Sequence, residues 1–97
     1  MIYNLTDKLN FDEDPVLIVG DSKFTIKSDA ETVLKLMDVV QNRGEIAGAS
    51  EALDIMLSKA DKKKLDALHL KMNDYILFME TALNLAMGED PDEQPGE

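Results

Sequence analysis

Apolar residues recur at helical spacing through the C-terminal part of the sequence, from about Asp61 to Met87. This stretch is longer than a typical globular helix, and Asn73-Asp74 makes a good N-cap pair inside it. The sequence therefore predicts a helix near residues 61–70, a tight connection, and a final helix from about residue 74 to residue 87 that ends at Gly88. One continuous helix is the alternative.

Two shorter helices are predicted upstream of this stretch. Ser28 and Glu31 have the spacing of a capping box, in which the hydroxyl and the carboxylate satisfy backbone donors that the first helical turn leaves unpaired. The helix that starts there should extend to about Asn42, with Gly44 as its left-handed stop. A second short helix is predicted over about residues 45–57.

A β-hairpin is predicted over residues 16–27, before the helices. Four apolar, mostly β-branched residues come first, then Gly20-Asp21-Ser22 as the turn, and then Phe24 and Ile26 alternate with polar residues. Two strands alone are only marginally stable in water, so helices or another chain must cover the apolar side of the hairpin. The expected fold is mainly α: a small helical bundle of three to four helices preceded by an N-terminal β-hairpin.

The chain of 97 residues is long enough for one domain, which we place at residues 15–88. Residues 1–14 are predicted to form an N-terminal arm that contains the acidic run Asp12-Glu13-Asp14, whose role stays open. Residues 89–97 hold five acidic residues and two prolines but no apolar residue. Such a segment cannot bury enough surface to offset its ordering entropy, so a disordered acidic tail is predicted.

Charge and composition argue against several classes of function. Acidic residues number 20 against 10 lysines and arginines, and the net charge of -10 argues against nucleic acid as a direct partner. The absence of cysteine removes disulfides, thiolate metal sites and cysteine nucleophiles. The sequence shows neither a signal peptide nor the roughly 18 uninterrupted apolar residues of a membrane span, so we expect a cytoplasmic protein without a membrane partner.

The sequence gives no pattern that points to catalysis, a cofactor or a metal. His69 is the only histidine, and no cysteine accompanies it. Gly20-Asp21-Ser22 is similar to the serine site of small acidic carrier proteins, but the alternating residues after it favour a hairpin turn. The lysines at positions 59, 62, 63 and 64 form a basic cluster, interpreted as a solvated face, with a dock for an acidic partner as the alternative. We therefore expect a protein that is not an enzyme.

The final helix has a wider apolar arc than packing on one side requires. At ~100° per residue from Asp74, its apolar residues extend from about 20° to about 220°. Either this helix is buried on two sides, or one flank is available to another molecule. Methionines on the predicted helices also suit adaptable apolar surfaces. Our candidate partner surface comprises five residues of this helix: Tyr75, Leu77, Phe78, Met79 and Leu85.

The order of these elements resembles a known family. The similarity rests on the strand pair at Val16–Val19 and Phe24–Ile26, the capped helix from Ser28, the segment Ala52–Asp61, and the closing helix that leads from Asn73 into the acidic residues after Gly88. Over about residues 14–92 the chain resembles the tail assembly chaperones of long-tailed phages and prophages of Gram-positive bacteria.

The resemblance implies a non-enzymatic role in the cytoplasm of a bacterial host. A chaperone of this family binds the long helical tape measure protein, with the tail tube subunit, or major tail protein, as a further candidate partner, and leaves before the virion is complete. The family supplies no catalytic or ligand residues to carry over, so the candidate partner surface rests on helical geometry alone. Whether the protein forms a homo-oligomer stays open.

Two other classes of function also stay open. A structural tail or head–tail joining subunit would persist in the finished particle. An acidic phage-encoded inhibitor that mimics DNA would display carboxylates in ordered rows. The acidic residues of this chain instead concentrate in the tail and alternate with lysine elsewhere, which disfavours such an inhibitor.

Overall fold

The computed structural model describes residues 1–89, which form a β-hairpin followed by four α-helices. The hairpin consists of β1 (Val16–Val19) and β2 (Ser22–Thr25), and a short 3-10 turn at Thr6–Lys8 precedes it. The helices are α1 (Ala30–Arg43), α2 (Ala49–Met56), α3 (Lys59–Ala67) and α4 (Met72–Ala86). The predicted fold class is therefore confirmed. The predicted acidic tail lies outside the described residues from position 90 onwards.

β1 and β2 pair in antiparallel register, with Val19 opposite Ser22 and Leu17 opposite Phe24. Gly20 takes the first of the two turn positions with a φ of 59°, a left-handed conformation that glycine adopts without steric cost. Ser22 is the first residue of β2, one position after the turn in which the sequence placed it. Phe24 is fully buried, so the rest of the chain covers one face of the hairpin as expected.

α1 begins one residue later than the capping-box spacing predicts. Its N-cap is Asp29, whose Oδ1 accepts a hydrogen bond from Thr32 Oγ1 at 2.6 Å. Ser28 Oγ instead donates to Asp14 Oδ1 at 2.8 Å, so its hydroxyl is turned toward the arm rather than the helix. The predicted Ser28 cap is therefore wrong, because the next residue, Asp29, is an equally favoured N-cap residue and takes that position. The helix ends as predicted before Gly44, which has a φ of 82°.

α2 is shorter than predicted, and the segment before it forms turns. Gly48 lies against the C-terminal end of α1, where an added Cβ atom would come within 2.8 Å of Gly44 O and 2.9 Å of Val39 Cγ1. Gly48 N also donates to Gly44 O at 2.9 Å, which closes the turn. Only glycine permits this close approach, so Gly48 sets how closely α2 packs on α1.

The predicted break in the C-terminal helical stretch is confirmed. α3 starts earlier than predicted because Ser58 Oγ accepts a hydrogen bond from Asp61 N at 3.1 Å and caps the helix. Between α3 and α4, His69 adopts a left-handed conformation with a φ of 50°, which ends the helical path. α4 begins at Met72, so the predicted N-cap pair Asn73-Asp74 is wrong and lies in the first turn instead. The carboxylate of that pair is favourable there, near the positive end of the helix dipole.

The core lies between the hairpin and the helices. α2 contacts α1, α3 and α4, while β2 contacts α3. α4 contributes a stripe of four buried residues: Phe78, Met79, Ala82 and Ala86. The largest fully buried side chains come from every part of the domain: Phe24, Ile26, Leu36, Leu53, Met56, Leu57, Leu65 and Met79. Each stabilises the fold by about 1.5–3 kcal/mol relative to an exposed side chain of the same kind.

The N-terminal arm, residues 1–14, is exposed along its whole length. The molecule is elongated, with extents of 55 × 33 × 33 Å. All the large apolar side chains of the arm are at least half exposed: Met1, Ile2, Tyr3, Leu5, Leu9 and Phe11. The arm therefore presents apolar surface that the described part of its own chain does not cover.

Candidate protein-binding surface

The candidate partner surface predicted on α4 is split by the fold. Leu77 is exposed (61%), Tyr75 and Leu85 are half-buried, and Phe78 and Met79 belong to the core at 5% and 0% exposure. The assignment of Phe78 and Met79 to a partner surface is therefore wrong. Much of the wide apolar arc is used within the chain, because one part of α4 packs on α2 and another part packs on the hairpin.

An aromatic contact with the hairpin fixes the side chain of Phe78. Its ring centroid lies 5.0 Å from that of Phe24, with an interplanar angle of 81°, an edge-to-face arrangement. Lys64 of α3 adds a cation–π contact, with Nζ 5.2 Å from the centroid of the Phe24 ring. β2, α3 and α4 thus meet at this aromatic pair, and Phe78, although it lines the space between α4 and β1, offers a partner molecule almost no accessible surface.

The buried stripe of α4 separates two flanks that are partly open. We call the side with Leu83 and Met87 the α1 flank, because it faces α1. We call the side with Asp74, Leu77 and Thr81 the β1 flank, because it faces β1. At ~100° per residue these two sets lie on opposite sides of the stripe, and each forms one wall of a groove.

The α1 flank borders an apolar groove of about 310 Å³, which we call the α1–α4 groove. Met37 on α1 and Met87 just after α4 are 48% and 43% exposed at its mouth, and the buried Leu36 forms its floor. Gln41 is the one polar residue among the described residues that line it. The complete lining is Val33, Leu36, Met37, Val40, Gln41, Leu83 and Met87.

Helix packing around α2 produces this groove. α1 and α4 pack on α2 rather than against each other, and Ala49 and Ala52 of α2 are buried. On α1, Leu36 belongs both to the core and to the groove, and the less buried apolar residues beside it, such as Met37, extend the groove toward solvent. At ~100° per residue, the apolar residues of α1 span about 220° from Val39 round to Leu34. The missed surface therefore had a sequence signal as wide as the one on α4.

Acidic residues mark one end of the α1–α4 groove. Glu80 and Asn84 of α4 and Glu45 before α2 surround a small cavity beside Leu83. Both carboxylates belong to exposed residues. A ligand in the groove therefore meets apolar walls along its length and negative charge at this end.

The β1 flank borders a second groove, of about 290 Å³, which we call the β1–α4 groove. Leu17 and Val19 of β1 lie on one wall, and Leu77 and Thr81 of α4 lie on the other. Asp74 adds a carboxylate near the N-terminal end of α4. Leu77, the most exposed member of the surface predicted on α4, belongs to this groove.

Lys62, a member of the predicted basic cluster, is engaged within the chain. Its Nζ lies 3.0 Å from Asp54 Oδ1 and 3.8 Å from Asp66 Oδ1, and 15% of the side chain is exposed. Burial acts to lower the pKa of Lys62, but the hydrogen bond to Asp54 and the nearby charges of Tyr75, Asp54 and Asp66 outweigh it, so the pKa is raised. This ammonium therefore joins α2 to α3 as a structural contact.

Asp61 and Lys64 close the outer edge of β2. Asp61 Oδ2 accepts a hydrogen bond from Thr25 N at 3.0 Å, and Lys64 Nζ donates to Lys23 O. The two side chains also pair with each other at 3.1 Å. The interpretation of the basic cluster as a solvated face therefore applies only to its exposed members without such a role, Lys59 and Lys63.

The described side chains outside the grooves show few arrangements suited to metal binding or catalysis. Among residues 1–89, no three His, Asp or Glu side chains come together in a way that could hold a metal ion. His69 is exposed in the turn between α3 and α4, and Ser22 lies in the hairpin ladder. Over the same residues, every helix is too short or too polar to cross a membrane. A larger cavity of about 650 Å³ lies between the arm and the end of α4, but Asp12, Glu13, Glu89 and other polar residues line much of it. The two grooves are therefore the candidate sites with mostly apolar walls that α4 forms with its neighbours.

No protein-family model, curated protein sequence or solved structure matches this chain. The two grooves are therefore interpreted from their own chemistry and from the resemblance in the sequence.

Proposed function

We propose that this protein is a non-enzymatic tail assembly chaperone of the phage type, which binds an amphipathic helix of the tape measure protein in the α1–α4 groove. The observation that carries the proposal is the groove itself, an apolar channel with exposed methionines on a strongly acidic protein. The order of elements in the sequence suggests the identity of the partner. The proposed setting is the cytoplasm of the bacterial host, with the major tail protein as a second candidate partner.

A helix fits this groove better than an extended peptide does. Both walls are helices, whose backbone donors and acceptors are paired internally, so recognition has to come from side chains. An amphipathic helix meets that requirement because it presents apolar side chains at i, i+3, i+4 and i+7 along one face. The flexible thioethers of Met37 and Met87 can adjust to different segments of a long helical partner.

The charges around the groove favour a partner with basic residues at the edge of its apolar face. Glu45 and Glu80 lie at one end of the groove. The whole chain carries a net charge of -10, which would keep a complex with an apolar helix soluble through like-charge repulsion. Because opposite charges at a rim act mainly on the association rate, we expect added salt to weaken binding by lowering the association rate, with little change in the dissociation rate.

Co-purification of the tape measure protein with groove variants tests the proposal. Met37→Glu places a carboxylate in a contact that a partner would desolvate, and an unpaired buried charge is strongly unfavourable. Because Met37 is exposed in the unbound protein, this variant should keep its helix content and melting temperature. We expect its affinity for the tape measure protein to fall by at least about 30-fold, which corresponds to a strong interface residue.

Met72→Glu is the matched control. Met72 is also an exposed methionine on a helix, at 65%, but it lies outside both grooves. This variant should bind as tightly as the parent chain. Equal binding by the parent and by folded Met37→Glu would contradict the proposed site, and a parent chain that does not bind would contradict the proposed partner.

A further inference from the structure

The hairpin has one closed edge and one open edge. In an antiparallel pair, alternate residues direct their N–H and C=O groups away from the partner strand. The hydrogen bond from Ile26 N to Pro15 O, at 2.9 Å, fixes this alternation for the whole hairpin. The outward groups therefore belong to two residues of each strand: Val16 and Ile18 on β1, and Lys23 and Thr25 on β2.

The two edges differ in what covers these outward groups. On β2, Asp61 accepts a hydrogen bond from Thr25 N, and Lys64 donates to Lys23 O, so α3 occupies the edge. On β1, the outward N–H and C=O groups have no hydrogen-bond partner among residues 1–89. An unpaired strand edge of this kind is a template for another strand.

Apolar surface lies next to the open edge. The side chains of Val16 and Ile18 are 50% and 60% exposed. The β1–α4 groove lies on the other face of the strand, with Leu17 and Val19 on one wall and Leu77 on the other. A third strand beside β1 would therefore gain backbone hydrogen bonds from β1 and apolar contacts from α4.

The N-terminal arm has the sequence that such a strand needs. In an extended conformation, Met1, Tyr3 and Leu5 fall on one face, because successive side chains of a strand point to opposite sides. All three are exposed in this structure, so the described part of their own chain leaves them uncovered. If the Thr6–Lys8 turn opens, the segment between Leu5 and Pro15 spans roughly 30 Å in extended form, which allows the arm to reach a neighbouring molecule.

We propose that the arm of a second copy of this chain adds as a strand to the open edge of β1, with Met1, Tyr3 and Leu5 in the β1–α4 groove. The exchange is reciprocal, because the arm leads directly into β1 and a two-fold axis brings each arm to the edge of the other copy. Three apolar arm side chains per copy, at roughly 100 Å² each, bury roughly 600 Å² of arm surface in the dimer. The two grooves that cover them lose a similar area, so the total is on the order of 1,200 Å², within the range of specific interfaces. This dimer uses the β1 flank and is independent of helix binding on the α1 flank.

Sedimentation velocity of the full chain over a concentration series tests the dimer. The parent should form a dimer, and Tyr3→Asp should shift it to monomer by weakening association at least tenfold. Asn4→Asp adds the same charge on the opposite face of the arm and should stay dimeric. Both positions are exposed in the single chain, so neither substitution can act by unfolding it.

Ile18→Pro tests the β1 edge from the other side. It removes one outward N–H and keeps the hairpin ladder, because proline is tolerated where the donor faces away from the partner strand. This variant should be monomeric, whereas Ile18→Thr keeps the donor and should stay dimeric. If Ile18→Pro does not fold, the two arm variants decide alone.

Two results would overturn the proposal. One is a parent chain that stays monomeric at every concentration. This includes the case in which the arm amides of the monomer are protected from hydrogen exchange, because the arm would then pair with β1 of its own chain. The other is a dimer that survives Tyr3→Asp, since the arm would then lie outside the interface.

Discussion

The two flanks of α4 differ in the kind of chemistry they offer. On the α1 flank, both walls of the groove are helices, and the exposed groups are apolar side chains such as Met37 and Met87. On the β1 flank, one wall is a strand whose outward backbone groups are unpaired within the described residues, and Asp74 and Thr81 add polar side chains. One short helix can therefore support two recognition modes, side-chain packing on one side and backbone pairing on the other.

The buried stripe that separates the two flanks carries the largest expected effect. Phe78→Ala should lower the free energy of unfolding by about 3–5 kcal/mol, because it leaves a cavity and removes the edge-to-face contact with Phe24. Urea unfolding measures this loss. Leu77→Ala, at the adjacent exposed position, should change the same quantity by less than about 0.5 kcal/mol. Similar values for both variants would mean that the stripe is not core and that the flanks form one surface.

The next largest effect concerns the position of the α1 wall. Gly48→Ala should lower the free energy of unfolding by about 1–3 kcal/mol, because its Cβ would overlap Gly44 O and Val39 Cγ1 unless α2 shifts away from α1. Such a shift should also weaken binding in the α1–α4 groove and leave dimerisation through the β1 flank unchanged. Ala47→Ser, at a neighbouring exposed position, is the control for both assays. If Gly48→Ala weakened helix binding and dimerisation equally, the two flanks would not be independent.

A smaller effect is expected at the closed edge of the hairpin. Asp61→Ala removes the acceptor of Thr25 N and the ion pair with Lys64, and should lower the free energy of unfolding by about 1–2 kcal/mol. Asp66→Ala deletes a mostly exposed carboxylate that lies 3.8 Å from Lys62 Nζ. This change should alter the free energy of unfolding by less than about 0.5 kcal/mol. If the two aspartates prove equivalent in chemical denaturation, α3 does not close the β2 edge as described.

The smallest effect depends on pH and comes from Lys62. Its pKa in the fold is raised above its ordinary value of 10.5, so its contribution is fully present below that pH and is lost as the pH rises through the folded-state pKa. The free energy of unfolding should therefore fall between neutral pH and a pH above the folded-state pKa, and Lys62→Met should make this fall smaller than in the parent. Lys63→Met, at an exposed position, should leave the fall as in the parent. If the free energies of unfolding of the parent and of Lys62→Met fall in parallel as the pH rises into the alkaline range, the contact with Asp54 contributes nothing to stability.

Local signals in the sequence were sufficient for much of the fold. The hairpin and the stop at Gly44 follow from residues that are neighbours in the chain, and the structure has both. The Ser28 cap failed because the next residue, Asp29, is an equally favoured N-cap residue and takes that position, while Ser28 Oγ donates to Asp14, fourteen residues earlier. Local spacing does not distinguish two adjacent cap candidates, and it cannot report a contact with so distant a carboxylate.

The same limit explains the candidate site. An apolar arc shows how much of a helix surface is hydrophobic. Which part of that surface is buried in the core and which part stays exposed depends on packing against residues far away in the sequence. Phe78 was assigned to the surface because nothing local indicates its contact with Phe24, more than fifty residues away. The groove residues on α1 were missed for the same reason, although their arc was equally wide.

The methionines provide the most direct test of the central assignment, that the α1–α4 groove is the helix-binding site. The six methionine methyl groups can be labelled with carbon-13 and followed by NMR while a tape measure segment is added. We expect the signals of Met37 and Met87 to shift, because both line the groove, and those of exposed Met72 and buried Met56 to stay in place. Shifts at Met72 with none at Met37 and Met87 would contradict the account.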